Sequence, residues 1–495
     1  MSKLIIQNGN MCELDLPLKF AQKLYNEFAI RHPNAFYLRT RQRGMQNWDG
    51  KIHYITKTGQ FKIGLLPKVY DMCIEMGIKP KVVDMRQPLP KVSKVVTNIG
   101  KYKLRPEQEK AVKSVINNRV GDTPFHIGVL DYTVNAGKTL IMSSLYLTYK
   151  KQLKTLLITN DSDWLNQARE EFKQYLPGED ITFVQGKVLN WSNFTIGMVQ
   201  SISRNMRFYQ KELSQIDMVL VDEADQGGSK QYQNVITRLF NTRIRIGLSG
   251  TIYMSKLAKD KVKNMNLECF FGKVIAEFKL KDSIKKGYST KTIVKMVPGK
   301  PWYGNWESDC ISYKEIYDDS ITENNTAWTM AYNRLRWNIN QGRYPALVVC
   351  KHIAHCENLY KFFKKKLGDA YNIAYVHVNT PSKLRQQIMR DFREGKIDIL
   401  VSTTIIARGK NFPKLKYLLN TASMDSQEKS IQFLGRLVRT DESKNKVYLD
   451  DLHYPGNYLD RHGKHRKQYY QRQELKVILL DKLWKKHPNH SLIKS

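Results

Sequence analysis

The chain has 495 residues, of which 41% are hydrophobic and 26% charged, so it is long enough for two to four globular domains. Lys and Arg number 81 against 46 Asp and Glu, a formal charge of +35, which favours a polyanionic partner such as nucleic acid over a surface that is basic without a partner. No stretch approaches the roughly 18 apolar residues of a membrane span, the start MSKLIIQNGN lacks a signal-peptide core, and six cysteines without regular spacing fit a reducing compartment. We therefore expect an intracellular protein of the cytoplasm, or of the host cytoplasm if its source is a virus, and no membrane contact.

Residues 1–95 predict a small α+β domain with a basic cluster around NWDG (47–50). Side chains of this kind bind nucleic acid through phosphate contacts and base stacking. Trp48 has a second interpretation as a buried aromatic anchor. The segment 84–96, with two prolines, predicts a linker. We predict nucleic-acid contacts in this domain from Arg39, Arg41, Arg43, Trp48 and Lys51.

Two blocks of alternating strands and helices follow, at 98–280 and 281–455, and then a basic tail, 456–495. Short β-rich runs separated by helical patterns indicate parallel strands covered on both faces. The fold class is therefore α/β, with two tandem parallel-sheet lobes behind the N-terminal domain. The predicted strands are TLLIT (155–159), TIGMV (195–199), MVLVD (218–222), IRIGLS (244–249), ALVVC (346–350), AYVHV (374–378), DILVST (398–403) and KYLLNT (416–421).

A phosphate-binding loop is predicted where Gly137-Lys138-Thr139 opens a helical run after an apolar stretch. Backbone N–H groups at the helix start would face the phosphates, Lys138 would reach the β and γ oxygens, and Thr139 would hold Mg²⁺. Asn135 stands where such loops usually carry glycine. Asn enters the left-handed region more easily than most residues, and Ala136 is small, so we expect the loop to work.

The stretch VLVDEAD (219–225) predicts a carboxylate pair at the end of a strand. Asp222 would hold Mg²⁺ through water, and Glu223 would orient and deprotonate the attacking water. A surface turn rich in acids is the alternative. It is disfavoured because the phosphate loop precedes this stretch.

Shorter motifs flank these two. In LRPEQ (104–108), we predict nucleotide contacts from Arg105 and Gln108, whose amide suits an adenine edge. Leu248-Ser249-Gly250-Thr251 closes a strand, either as a link to the polymer track or as a simple hydroxyl turn. Gln200 and Ser201, directly after a predicted strand, are expected to contact nucleic acid.

The second block carries Gln432-x-x-Gly435-Arg436-x-x-Arg439. The two guanidinium groups would share a face if this segment is helical, and an arginine on a transferring phosphoryl group is worth about 10³–10⁵ in rate. We therefore include Gln432, Arg436 and Arg439 among the catalytic residues, although a basic helix face is an alternative. The loop after DILVST predicts a nucleic-acid contact at Thr403 and a nucleotide contact at Gly409.

Cys350, His352, His355 and Cys356 fall within seven residues and suggest zinc. Structural zinc sites favour paired spacings, whereas His355 and Cys356 are adjacent. We therefore do not predict a metal there.

Taken in order, LRPEQ, NAGKT, DEAD, LSGT, ARGKN and QFLGRLVR resemble the motif series of superfamily-two helicases. The stretch 47–79, with TVNAGKT and CKHIAHCENL, resembles the UvsW-type family of bacteriophage DNA helicases, which also has a non-glycine residue at the position of Asn135. This resemblance implies two RecA-like lobes, ATP with Mg²⁺ bound between them, and remodelling of branched DNA by branch migration, fork regression and R-loop unwinding. It also implies a role in DNA repair and recombination.

Other functions remain compatible with the sequence. They are an RNA helicase, an ATP-regulated annealing protein, and the motor subunit of a nuclease complex, although the chain has no PD-(D/E)xK-like cluster. We expect a monomer acting on branched, forked or R-loop DNA, with RNA as an alternative and with recombination or replication proteins as partners.

Overall fold

A computed structural model describes residues 2–41, 45–149, 152–186, 190–252, 261–299, 312–407 and 412–480. The chain divides into two compact units, Met1–Phe278 and Lys279–Ser495.

The first unit begins with a four-stranded sheet in the order β5-β2-β1-β6 and a separate two-stranded antiparallel sheet of β3 and β4, with α2 between the two strands in sequence. Alternate residues of β1 and β2 are buried, because one face of this sheet packs on helices. The elements are β1 (Lys3–Ile6), β2 (Met11–Asp15), α1 (Leu18–Glu27), β3 (Ala29–Arg31), α2 (Ala35–Arg41), β4 (Lys51–His53), β5 (Gln60–Lys62), α3 (Leu66–Glu75) and β6 (Lys81–Asp84).

The rest of this unit is built on a seven-stranded sheet in the order β13-β14-β12-β15-β16-β11-β17, with every pairing parallel. Strands β11, β12, β14, β15 and β16 are buried at every residue, as continuous apolar runs require when helices cover both faces. The elements are β7 (Asn98–Ile99), β8 (Tyr102–Lys103), α4 (Pro106–Ile116), β9 (Arg119–Val120), β10 (Thr123–Pro124), β11 (Ile127–Tyr132), α5 (Lys138–Thr148), β12 (Thr155–Thr159), α6 (Ser162–Tyr175), β13 (Ile181–Val184), β14 (Phe194–Met198), α7 (Val199–Arg204), α8 (Gln210–Ser214), β15 (Met218–Asp222), α9 (Lys230–Ile236), β16 (Ile244–Ser249), α10 (Lys261–Phe271) and β17 (Val274–Phe278).

The N-terminal sheet is joined closely to this seven-stranded sheet. Arg245, fully buried on β16, donates hydrogen bonds to the Gly9 carbonyl and to Asn10 Oδ1. A Cβ at Gly9 would lie 2.5 Å from the Leu239 carbonyl oxygen, and one at Gly64 would lie 2.1 Å from that of Glu268. Only glycine allows such close backbone approach, so the two parts pack as one body.

The second unit contains another seven-stranded parallel sheet, in the order β20-β21-β19-β22-β23-β18-β24. The predicted α/β class with two tandem parallel-sheet lobes is therefore confirmed. The elements are α11 (Leu280–Lys285), β18 (Lys291–Pro298), α12 (Tyr313–Tyr317), α13 (Asn325–Ile339), β19 (Ala346–Cys350), α14 (Ile353–Leu367), β20 (Ile373–Val376), α15 (Ser382–Glu394), β21 (Ile399–Thr403), β22 (Tyr417–Asn420), α16 (Gln427–Leu437), β23 (Lys446–His453), α17 (Asn457–Arg472) and β24 (Lys476–Leu479).

The segment predicted as a basic tail, 456–495, needs correction as far as residue 480. It supplies α17, and β24 pairs with β18 as the edge strand of the sheet. Arg466 on α17 is fully buried, and its guanidinium donates to both oxygens of Asp451 and to the Met424 carbonyl. Its positive charge is therefore neutralised inside the second unit and is not available to nucleic acid.

Candidate active site

Strands β11, β15 and β16 end at the same edge of the first seven-stranded sheet, with β16 in the middle. Asp222 pairs in register with Leu248, and Ser249 pairs with Asp131. The three motifs that follow these strands therefore meet at the carboxyl edge, where α/β folds bind ligands.

The phosphate loop runs from the end of β11 to the start of α5. Asn135 has φ +64° and Gly137 has φ +71°, so both residues lie in the left-handed region. Asn is among the non-glycine residues that tolerate this region. The loop thus forms with asparagine at 135, and Lys138 and Thr139 begin the helix behind it.

Gln108 holds the phosphate loop from behind. It is 1% exposed, its Nε2 donates to the Ala136 carbonyl at 2.9 Å, and its Oε1 accepts from the Arg105 backbone N–H at 2.8 Å. A Cβ on Gly137 would lie 2.3 Å from the same Nε2. Gln108 therefore supports the loop directly, and its predicted contact with an adenine edge stays a prediction.

Asp222 is 4% exposed at the end of β15. Burial raises the pKa of its carboxyl above the usual range, and the Lys138 charge opposes that rise. Its Oδ1 has no hydrogen-bond partner among the described residues. A buried carboxylate oxygen left open beside a lysine fits Mg²⁺ or a water of its hydration shell, which prefer oxygen ligands.

The residue after it, Glu223, has φ +51°. A non-glycine residue in this region costs about 1–3 kcal/mol, and such strain clusters at functional sites. The turn places a second carboxylate directly after Asp222 at the end of β15.

Asp225 received no role from its motif alone, but it links two motifs in the fold. It accepts a hydrogen bond from Ser249 Oγ at 2.7 Å, and Ser249 Oγ also accepts from the Thr251 backbone N–H at 3.1 Å. The interpretation of the SGT motif as a hydroxyl turn is therefore confirmed, and the same hydroxyl also contacts the carboxylate segment, while the link to the polymer track stays a prediction.

In the second unit, Gln432 and Arg436 lie on α16, but the helix ends at Leu437. Arg439 therefore lies beyond the helix, so the condition under which the two arginines would share one helix face is not met. The chain there is held by other contacts: the carbonyls of Val438 and Arg439 accept from the Thr290 N–H and hydroxyl.

Lys444 adds a third contact to this segment. It is 7% exposed, and its Nζ donates to the carbonyls of Leu415 and Leu437. Burial lowers the pKa of Lys444 to about 8. No motif indicated Thr290 or Lys444, because their role comes from backbone carbonyls that the fold brings close.

Two of the other residues with predicted nucleic-acid contacts already form hydrogen bonds within the protein. Gln200 Nε2 donates to the Asn160 carbonyl at 3.3 Å, and Ser201 Oγ accepts from the Gly186 N–H at 2.9 Å. Thr403 ends β21 with 7% exposure. Gly409 lies outside the described residues.

The N-terminal basic cluster is divided between exposed and packed side chains. Arg39, Arg41 and Lys51 are exposed, whereas Arg43 lies outside the described residues. The Trp48 indole N–H donates to the Lys51 carbonyl at 2.9 Å, and the ring contacts His32 edge-on. Trp48 is half-buried by these contacts, which are compatible with an anchoring role and leave its predicted contact with nucleic acid a prediction.

The Cys350–Cys356 segment forms packing contacts. His355 is buried with its Nδ1 at 3.0 Å from the Tyr317 hydroxyl, and Cys356 Sγ donates to the Val401 carbonyl. In the part of the chain that the structure describes, no three His, Cys, Asp or Glu side chains converge as a metal site. None of the helices in the same part is both long and apolar enough to cross a bilayer.

Comparison with known proteins adds family information to this geometry. Residues 101–254 match the family of the type III restriction enzyme res subunit, and residues 331–441 match the helicase conserved C-terminal domain. The two matches cover the phosphate loop, the DEAD segment and the arginine motif, which together define a nucleotide-hydrolysing class with two parallel-sheet lobes.

Individual relatives are more distant. IRC3 of Saccharomyces cerevisiae is 22% identical, with 70% of this chain and 51% of IRC3 covered. The ATP-dependent DNA helicase uvsW of Enterobacteria phage T4 is 21% identical, with 88% of this chain and 90% of that protein covered. The chain thus spans about half the length of one relative and nearly all of the other.

Among solved structures, S. cerevisiae Dbp5 bound to RNA and ADP-BeF₃ has the same fold, with a TM-score of 0.51, 14% identity, and coverage of 77% of this chain and 90% of that one. The chain belongs to the superfamily-two helicases and is an ATP-hydrolysing enzyme. The family predicted from the motif series is confirmed, as is its resemblance to the UvsW-type helicases.

Proposed function

We propose that this helicase is a DNA motor that remodels branched DNA in the cytoplasm, or in the host cytoplasm if its source is a virus. The observation that carries the ATP-dependent part is the carboxyl edge of β11, β15 and β16, where the phosphate loop lies beside an open, buried carboxylate oxygen. The DNA preference is supported by the T4 relative, a DNA helicase matched over 90% of its length.

The residues present fit ATP with Mg²⁺. Loop N–H groups and Lys138 would bind phosphates, and Thr139 with Asp222 would hold the metal ion, which would supply charge neutralisation of the β and γ phosphates. Glu223 would accept the proton of the attacking water. We assign Gln432, Arg436 and Arg439 to the same phosphates.

Exposed arginines would supply the grip on DNA. Arg39 and Arg41 lie on α2 with side chains open to solvent, and Lys51 is exposed nearby. Phosphate contacts release counterions, so binding should weaken steeply with salt. Recombination or replication proteins would be natural partners for a monomeric motor of this kind.

The first experiment measures ATPase activity with single-stranded, duplex, forked and RNA–DNA substrates. We expect the greatest stimulation by forked DNA, and loss of unwinding in Lys138→Ala and Glu223→Gln. Lys113→Ala and Glu109→Gln are matched controls, because these two residues form an ion pair on the outside of α4. A Lys138→Ala protein that still unwound DNA with ATP would exclude the mechanism.

Two alternatives have distinct signatures in the same assay. Stronger stimulation by RNA than by DNA would indicate an RNA helicase. The solved structure of Dbp5, which has the same fold, contains RNA. Strand annealing by Lys138→Ala without ATP would indicate an annealing protein.

The second experiment measures DNA affinity against salt. The double variant Arg39→Ala/Arg41→Ala should lower the slope of log K against log salt by about 1.8, at about 0.9 for each lost phosphate contact. Lys79→Ala/Lys81→Ala removes the same charge from another exposed part of this domain and should change the slope less. Equal slopes in the two double variants would remove α2 from the DNA-binding surface.

A further inference from the structure

Helix α2 exposes two adjacent aromatic side chains. Phe36 is 79% exposed and Tyr37 is 53% exposed, although aromatic rings normally supply buried area to a core. The helix buries only Ala35. An exposed large apolar pair is informative in a way that scattered surface leucines are not, since it signals contact with something else.

Cations surround this pair. The Arg41 guanidinium lies 4.9 Å from the Tyr37 ring centre. A cavity of about 380 Å³ beside the helix is lined by Phe36, Arg31, Arg39 and Gln46 among others, a volume within the range of roughly 300–1,000 Å³ found for small-molecule sites. The arrangement combines a flat apolar ring with phosphate-binding groups and an amide. Asp49 also lines the cavity, and its carboxylate accepts from the Lys51 backbone N–H and contacts His53.

The positive charges of this surface indicate which kind of partner it binds. A second copy of this chain would bring the same arginines against these arginines, and like charges at an interface are unfavourable. A single strand of nucleic acid carries the two groups that this surface would bind, namely the π-face of an unpaired base and the phosphates on either side of that nucleotide.

We propose that Phe36 and Tyr37 each stack on an unpaired base of the bound nucleic acid while Arg31 and Arg39 bind the flanking phosphates. This inference rests on the proposed function, and it adds a preference for single-stranded segments that arginines alone would not produce. Stacking is sequence-tolerant because every base has a π-face, so the site distinguishes unpaired from paired bases and does not read sequence.

The experiment compares affinity for an unpaired oligonucleotide with affinity for a blunt duplex, by fluorescence anisotropy at fixed salt. Phe36→Ala and Tyr37→Ala should each weaken single-strand binding about 5- to 150-fold, the equivalent of roughly 1–3 kcal/mol per stacked base. Duplex binding should change much less, because paired bases do not present their faces. Phe36→Trp should restore single-strand binding.

A second readout follows 2-aminopurine placed in the unpaired arm of a forked DNA. Stacking on Phe36 should quench its fluorescence in the wild-type complex, and Phe36→Ala should lose that quenching. Phe240→Ala is the matched control, since Phe240 is also an exposed phenylalanine of the first unit, 46% exposed, but precedes β16 at the amino edge of the sheet.

Two results would overturn the inference. One is a Phe36→Ala protein that binds the single strand as well as Phe240→Ala does, and the other is an equal loss on single strand and duplex. Self-association that Phe36→Ala abolishes would also overturn it in favour of a second copy. Failure of the proposed function looks different, because forked DNA would then not stimulate the ATPase activity of the wild-type protein more than the other nucleic acids do.

Discussion

Replacing Gly137 with alanine tests the construction of the phosphate loop. Gly137 has φ +71°, and an added Cβ would lie 2.3 Å from Gln108 Nε2. Alanine in the left-handed region costs roughly 1–2 kcal/mol. The methyl group would also displace the Gln108 amide, which is buried and bonded at both ends.

The size of the effect follows from these two terms. Loss of the two Gln108 hydrogen bonds adds about 0.5–1.5 kcal/mol each, so the loop conformation that binds phosphate is destabilised by roughly 2–5 kcal/mol in total. Since only that conformation binds, the apparent affinity for ATP should fall about 30- to 4,000-fold. Global stability should fall less, because alanine also restricts the unfolded chain by about 0.4–1 kcal/mol.

The assay is titration with a fluorescent ATP analogue, together with urea unfolding of each variant. Gly178→Ala is a matched control, since Gly178 has φ +80° but no atom within 4 Å of the added Cβ. It should show the backbone cost in stability without a loss of ATP affinity. The double variant Gln108→Ala/Gly137→Ala removes the steric conflict, so its two penalties should be less than additive.

Two outcomes would refute this reasoning. Gly137→Ala could bind the ATP analogue as tightly as Gly178→Ala does, which would mean that the loop tolerates a Cβ. Alternatively, the penalties of Gln108→Ala and Gly137→Ala could add fully, and then the amide would not be the obstacle.

Three further predictions concern buried charge. Asp222→Asn should abolish Mg²⁺-dependent hydrolysis yet raise the free energy of unfolding at neutral pH. The pKa of Asp222 is higher in the native state than in the unfolded state, so the native state loses stability as the pH rises above the pKa of the unfolded state. In urea melts at several pH values, the free energy of unfolding should therefore depend less on pH in the variant. For Lys444, whose pKa falls to about 8 when the chain folds, the unfolded state holds more protons between about pH 8 and 10.5, so wild-type stability should rise across that window relative to Lys444→Met; parallel curves would contradict this. Arg466→Met should lower the free energy of unfolding in urea by about 3–5 kcal/mol, because it leaves the Asp451 carboxylate buried without its main cation. A decrease near zero would mean that this ion pair does not stabilise the packing of α17.

Local pattern identified eight of the fourteen strands in the two large sheets and missed β11, β13, β17, β18, β23 and β24. The runs at 155–159, 218–222, 244–249 and 346–350 coincide with β12, β15, β16 and β19, because an apolar β-rich run bounded by polar residues has few other ways to satisfy its backbone when both faces are covered. The neighbouring run TIGMV is displaced by one residue from β14, which begins at Phe194.

Local pattern also identified the residues at the strand ends. The positive φ of Asn135 is a property that asparagine makes accessible within a single residue. Asp222 ends a predicted strand, whereas Lys138 and Thr139 follow an apolar stretch that the structure shows to be β11. Parallel order brings such positions to one edge.

Tertiary structure decided the roles that depend on distant partners. Arg466 belonged to a basic run in the sequence, yet the fold buries it against Asp451. The Thr290 hydroxyl donates to the carbonyl of Arg439, which is 149 positions away in the sequence. Phenylalanine is a residue type typical of protein cores, yet Phe36 is exposed to solvent on its helix.

The physical reason for this division is the range of the forces involved. Burial of both strand faces and the sterics of φ act between neighbours along the chain, so they are legible in a short stretch of sequence. Pairing of a charge or a carbonyl with its partner depends on which surfaces the packed elements bring together, and that information is held jointly by segments far apart in the sequence.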